Sequence, residues 1–563
     1  MSSQSPSLPK ADLDQQEAGV SADGLNAATE PPRDSGSRFS IQSSFWQNRL
    51  FEAGLILSMT LYYVIGNENL GNTFLFHINP LFSLPFLLLF ALLCWYRLPF
   101  AVALLPLTLP YYAQTKTVIS HYSFSLAEIT LTACLLIAVL QLVWQRSRYW
   151  LSWQELRDHL GPFVVPTLVF VAAAAFSIVI AYEKVFALRA FHREVLEPLL
   201  YVVLALYCLR SRQDVQRLLG ALLATGLMVA LLGLIQYIFF KSTLPIEADG
   251  IRRVHAMYGS ANSIGLLFDY ILPIGLAWLV AKNSYKLHDW AAWKQRVVAL
   301  ILCLLMLSVQ YLTHSLGAWL GTAVAVLFIV ALSIRSRKML LLGIALFAGG
   351  MVVALIFFHT RIYNLVFENH VDVRNISTTT KRLYLWQTAW DMIRNSPWFG
   401  YGLDNWLCHF SLNNVCPTPH LHHYIINEDP VMHVLTGLGY EPNLSHPHNV
   451  FLDIWVSMGI FGVVAFAAVL VLFFWLFVRI LIHLRANEAP KNVYLQWMTI
   501  GVGAAMLAAM AQGMVDSAFL EQDLAFCFWM LVVALLALRV LSGTPWRGRG
   551  QSIEDGAHKQ IKG

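Results

Sequence analysis

Fourteen apolar runs set the limits on what this chain can become. They lie near residues 50–66, 80–96, 98–113, 124–144, 162–182, 195–209, 218–240, 262–281, 297–312, 317–334, 339–358, 449–480, 495–515 and 522–541. A helix needs about 20 apolar residues to cross the hydrocarbon of a bilayer. In lipid every backbone polar group has to be bonded within its own segment, so runs of this length become helices. The expectation is therefore an all-α fold, a polytopic membrane helix bundle of about 12–14 transmembrane helices. Pro85, Pro99, Pro106 and Pro110 interrupt the short second and third runs, which kink or merge. A composition of 57% hydrophobic and 13% charged residues excludes an ordinary soluble enzyme. The net charge is only +5, and no basic run points to nucleic acid.

The cations between the runs are sorted by side. With the amino terminus in the cytoplasm, the inside loops carry Arg146, Arg148 and Arg157, then Arg210, Arg212 and Arg217, then Lys282, Lys286, Lys294 and Arg296. Arg335, Arg337 and Lys338 follow, then Arg479, Arg485 and Lys491, and finally Arg539, Arg547 and Arg549. This positive-inside pattern puts both termini in the cytoplasm. Residues 1–42 read as a disordered cytoplasmic tail and 43–358 as the first part of the bundle. Residues 359–447 form a large extracytoplasmic loop, 448–541 the rest of the bundle, and 542–563 a second cytoplasmic tail. Within the loop, Trp386, Ala389, Trp390 and Ile393 recur at helical spacing and predict an amphipathic helix, which the turn Asn395–Gly402 stops. Of seven cysteines, five fall in apolar segments as packing residues, while Cys408 and Cys416 lie in the loop and can pair on an oxidising face.

The outward cations stand against that sorting and are the candidate chemistry. Arg189 and Arg193 share a helix face, and Arg252, Arg253 and Arg382 lie on the same predicted side. Guanidinium groups stay charged and bind phosphate oxygens in pairs. Converging, they would clamp a diphosphate; singly, each reads as a headgroup contact or a local ion pair. His446, Pro447, His448 and Asn449 end the polar loop where a strongly apolar helix begins, and Pro447 suits the start of such a helix. His448 is there a candidate proton acceptor at the rim of the membrane, against the plainer reading of a His-Asn pair that only caps the helix. His420, His422, His423 and His433 cluster beside Glu428 and Asp429, but their spacing matches no established zinc site and no metal is assigned.

His448-Asn449, nine residues and then Gly459 and Gly462 resemble the signature of the bacterial O-antigen ligase family, which includes O-antigen polymerases. Arg253 through Asn262 is loosely similar to a second family segment, and Arg382-Leu383-Tyr384-Leu385-Trp386 with Pro397 through Gly402 resembles a third. The resemblance implies transfer of a glycan from an undecaprenyl diphosphate carrier to a glycan, lipid or protein acceptor hydroxyl. It places that transfer on the extracytoplasmic side of the bacterial inner membrane, with no cofactor. Carried over, His448 is the base and Arg382 holds the leaving diphosphate. Arg189, Arg193, Arg252, Arg253, Asn449, His446 and His314 complete the expected substrate contacts. Leu316 departs from the pattern, because many relatives have arginine between the residues matching Ser315 and Gly317. A transporter of lipid-linked glycan or anionic solute, lined by the same arginines and using Asp269, Asp453 or Asp516, is the alternative, as is a non-catalytic relative.

Overall fold

The computed structural model of the chain describes residues 45–71, 74–119, 122–145, 153–244, 252–281, 290–333, 378–410, 446–486 and 490–546. The tail 1–42, the eleventh apolar run, most of the long loop with Cys416 and the His420–His433 cluster, and the tail from 547 lie outside the described residues. Residues 1–50 form a unit of their own, of which the start of helix α1 (Phe45–Val64) is described. The second unit, residues 51–563, holds the interior of the bundle and the candidate site.

Ten helical spans among the described residues are long and apolar enough to cross a membrane. The chain is a multi-pass membrane protein of the all-α class. The second and third apolar runs make a single span, Pro80–Tyr111. Its helix α2 (Leu84–Leu104) continues through a non-helical Arg97 just ahead of Pro99. Pro99 offers no N–H to the Trp95 carbonyl one turn back. The Gln141 side chain, on α3 (Leu126–Gln145), donates to that carbonyl at 2.7 Å instead, so the carbonyl freed by the kink is paired. After α4 (Trp153–Leu160) and α5 (Val164–Ile180), the sixth run is short. It forms only the short α7 (Glu197–Cys208), entered through α6 (Lys184–Ala190) and a π-helical turn over Phe191–Leu196.

The interior is built by α8 (Arg212–Phe239), α9 (Ala261–Val280), α10 (Trp290–Leu312) and α11 (Leu316–Ser333), with three later helices. These are α14 (Val450–Ala486), α15 (Pro490–Gly513) and α16 (Gln522–Ser542), which come after α12 (Thr378–Asn395) and α13 (Trp406–Phe410). The α9–α15 and α11–α15 faces are the most extensive. Ala504, Ala505, Ala508 and Ala509 of α15 are fully buried there, because small side chains let helix backbones approach where lipid offers no hydrophobic driving force. Asp269, the mid-helix acid of the transporter reading, is fully buried on an unbroken α9 and accepts from Thr322 Oγ1 at 3.3 Å.

Candidate functional site

The site forms where α14 begins. Asn449 caps that helix: its Oδ1 accepts from the backbone N–H groups of Phe451 at 3.0 Å and Leu452 at 3.1 Å, an arrangement worth about 1 kcal/mol. The other end of the same amide donates to the Met514 carbonyl at 2.9 Å, tying the helix start to the turn between α15 and α16. His448, with φ at 50°, is in the left-handed region that non-glycine residues rarely occupy. That sharp reversal turns its ring toward Asp516, and Nδ1 lies 2.8 Å from Oδ1. A carboxylate facing Nδ1 keeps the ring proton there, which leaves Nε2 with its lone pair as the proton acceptor.

Asp516 is the hub. Its Oδ1 also accepts from the Ser517 N–H at 3.0 Å, and its Oδ2 faces the Arg382 guanidinium at 3.6 Å. Both carboxylate and guanidinium are largely buried. Burial alone would raise the Asp516 carboxyl, but the charge and hydrogen bond of His448, with His446 and Arg382, outweigh it and hold the group down to about 2. The His446 ring stands edge-on to His448 at 4.4 Å between centroids, and its Nδ1 accepts from the His448 N–H at 3.3 Å. Burial, then the neighbouring His448, pulls His446 down to about 3 despite the opposing pull of Asp516. Ser517 Oγ donates to Asp453 Oδ2 at 2.5 Å and fixes the next turn of α14 to the same loop.

Arg382 reaches this point because of a backbone joint. Gly459, with φ 69° and ψ −168°, breaks the α14 hydrogen-bond ladder. The Val456 and Ser457 carbonyls, which a regular helix would pair with residues 460 and 461, accept instead from Tyr401 N–H at 2.7 Å and Gly402 N–H at 3.0 Å. The Pro397 carbonyl in turn accepts from Ile460 N–H at 3.0 Å and from the Trp455 indole at 2.9 Å. A Cβ on Gly459 would strike the Trp398 carbonyl and one on Gly400 the Val456 carbonyl. The turn that ends α12 is thus keyed into the kink of α14. At the far end of α12, Trp386, one turn beyond Arg382, donates its indole N–H to the His448 carbonyl at 3.2 Å. The two motifs and the two candidate residues belong to one interlocked pair of helices.

Residues 301–467 match the family described as O-antigen ligase. That span carries an O-antigen ligase domain. No curated protein matches the chain. An O-antigen ligase domain supports a membrane glycosyltransferase-like function, with a lipid-linked glycan and an acceptor as partners in general. The matched span contains Arg382, His446, His448, Asn449 and Gly459, while Asp516 lies beyond it.

The remaining expected contacts are placed differently in this chain. Arg193 donates to Glu128 at 2.9 Å, and exposed Arg189 stands beside Asp404. Arg252 braces its own loop, donating to the carbonyls of Lys241, Ser242 and Leu244 at 3.3, 2.6 and 3.0 Å. Arg253 is half-buried, next to a backbone bond from Val254 to Leu312 that holds its segment against the α10–α11 turn. His314, in that turn, is exposed and lies against Tyr311. Leu316 comes two residues later and is 82% exposed. A Cβ on Gly317 would come within 3.4 Å of Val515, so the residue that follows Leu316 adjoins the Asp516 turn. Sequence reasoning passed over Asp516 as a site residue, placing it only among the transporter acids. It is 68 positions from His448, and a lone aspartate in a short polar turn carries no spacing signal.

Proposed function

We propose that the chain moves a glycan from undecaprenyl diphosphate to an acceptor hydroxyl on the extracytoplasmic face of the bacterial inner membrane. The observation that carries this reading is the shared carboxylate: Asp516 touches both His448 and Arg382, the base and the phosphate-binding group, at one buried point. His448 Nε2 takes the proton of the acceptor hydroxyl as the oxygen attacks the anomeric carbon. Asp516 keeps the ring oriented and stabilises the imidazolium that forms. The bond from the anomeric carbon to the phosphate oxygen breaks, and the departing diphosphate gathers negative charge beside Arg382. No metal or cofactor enters these steps. Both termini on the cytoplasmic side put the site outside, which agrees with the loop cations and with the disulfide at Cys408, a bond at home on an oxidising face.

The test is transfer in proteoliposomes holding lipid-linked oligosaccharide and a candidate acceptor. Wild-type protein releases undecaprenyl diphosphate with formation of the glycosylated product. His448→Ala reduces turnover by about 10²–10⁴-fold, the usual size of a general-base contribution. Turnover unchanged by His448→Ala removes the base assignment.

A further inference from the structure

Two groups of histidine and carboxylate side chains among the described residues bring one ligand atom each to within 4.8 Å of one another. In the first, Glu128, His192 and Glu197, the Glu128 oxygen that faces the imidazole is already taken: Arg193 Nε lies 2.9 Å from Glu128 Oε1, and His192 is half-exposed. The second is His446, His448 and Asp516. Here the guanidinium of Arg382 faces Oδ2 at 3.6 Å, while Oδ1 faces His448 Nδ1. A carboxylate held by a cation on one oxygen remains a ligand through the other, the arrangement in which ligating carboxylates are themselves supported by hydrogen bonds. Two imidazoles and one carboxylate, largely enclosed, with a fourth position left to water, form the donor set of an open zinc site.

From this geometry we infer that His446, His448 and Asp516 together bind a zinc ion, and that the bound ion inhibits the chain. An ion on His448 Nδ1 requires the ring proton to move to Nε2. The atom that accepts the acceptor's proton then becomes a donor, while Asp516 is drawn from the imidazole to the metal. The inhibitory half rests on the reading of His448 as the base; binding does not.

The test uses full-length protein in detergent, with Co²⁺ as a visible-absorption probe and Zn²⁺ as competitor. Wild type binds Co²⁺ with the intense d–d bands of low coordination number, and Zn²⁺ displaces it. His446→Gln weakens binding by at least about 10-fold, no less than the loss of a supporting partner in a metal site. His446→Cys binds and adds a thiolate-to-cobalt charge-transfer band, a result that a misfolded variant would not give. His192→Gln leaves the isotherm in place. Equal isotherms for wild type and His446→Gln, or His446→Cys without the new band, overturn the site. In the transfer assay, Zn²⁺ lowers turnover over the concentration range of its binding. Binding at the site with undiminished turnover overturns the inhibitory half and counts against His448 as the base, whereas absent binding leaves that assignment standing.

Discussion

Two clusters in this protein are made of the same three residue types in opposite proportion. Around Asp516, one carboxylate serves two imidazoles and an arginine: His448 at 2.8 Å, Arg382 at 3.6 Å, and His446 edge-on to His448. Around Arg193, two carboxylates serve one arginine and one imidazole. Glu128 accepts from Arg193 at 2.9 Å, Glu197 lies 3.5 Å from His192 Nδ1, and Gln522 donates to Glu197 at 2.8 Å. The first cluster has more nitrogens than one carboxylate can satisfy, so donors and a lone pair remain for a ligand rich in oxygen. In the second, the oxygens outnumber the cations, and a diphosphate would meet repulsion. Proportion, more than residue type, separates a site from a brace holding α3, the π-helical turn, α7 and α16 together.

The sharpest way to break this comparison is to remove the charge from the hub. Asp516→Asn keeps the shape but presents an amide to His448 Nδ1, which no longer selects the tautomer with Nε2 free. Turnover in the transfer assay falls by up to about 10⁴-fold, the cost of the same change in a hydrolase triad. Arg382→Lys comes next, at about 10²–10³-fold, the size of removing one donor from a developing anion. Lysine keeps the charge but loses the planar fork that pairs with two phosphate oxygens. Loss in both kcat and kcat/KM is expected, because the interaction strengthens as the diphosphate leaves. A rise in KM alone would reassign Arg382 to donor binding.

The hub also contributes to how stability depends on pH. His446 takes up a proton in the folded chain only near pH 3, against an ordinary value of 6.5. Between those values the unfolded chain binds more protons, so stability falls as pH drops from about 6.5 towards 3. Asp516, held down to about 2 from an ordinary 3.8, acts in the same direction at the lower end: its contribution is present above 3.8 and lost on the way to 2. Buried Asp404 and Glu197 are raised, to about 6 and about 8, and act the other way, so the expected outcome is relative: from pH 7 to pH 4 the unfolding midpoint of wild type falls more steeply, or rises less, than that of His446→Gln. An equal change in that variant would assign the pH dependence elsewhere.

How much of the molecule is legible in its sequence depends on the range of each interaction. Helices and their order can be read because lipid forces apolar runs of fixed length to bond internally. Pro99 announces the merged second span, although nothing in the sequence marks Gln141 as the donor to the freed Trp95 carbonyl. Arg382, His446, His448 and Asn449 are legible because they lie in motifs that the structure explains: Gly400 and Gly459 are the two backbones that must touch for α12 and α14 to interlock. Arg189, Arg193 and Arg252 are grouped in the sequence by predicted side of the membrane alone. Side does not fix partner: Glu128 takes Arg193, three loop carbonyls take Arg252, and Arg189 stays exposed near Asp404. Asp516 escapes because the pairing that matters spans two helices and leaves no periodicity in the chain.

The smallest expected effect is the most discriminating control. His192→Gln takes the imidazole from between Glu128 and Glu197 without touching the Arg193–Glu128 pair or the Gln522–Glu197 bond. Its side chain is 48% exposed, and ion pairs made by exposed groups contribute little, about 0–1 kcal/mol. Turnover within about twofold of wild type is therefore expected, with a small shift at most in the unfolding midpoint. Were His192→Gln instead to lower turnover as Arg382→Lys does, the carboxylate-rich cluster would belong to the reacting site. The proportion of cations to carboxylates would then no longer tell a phosphate-binding cluster from a structural one in this protein.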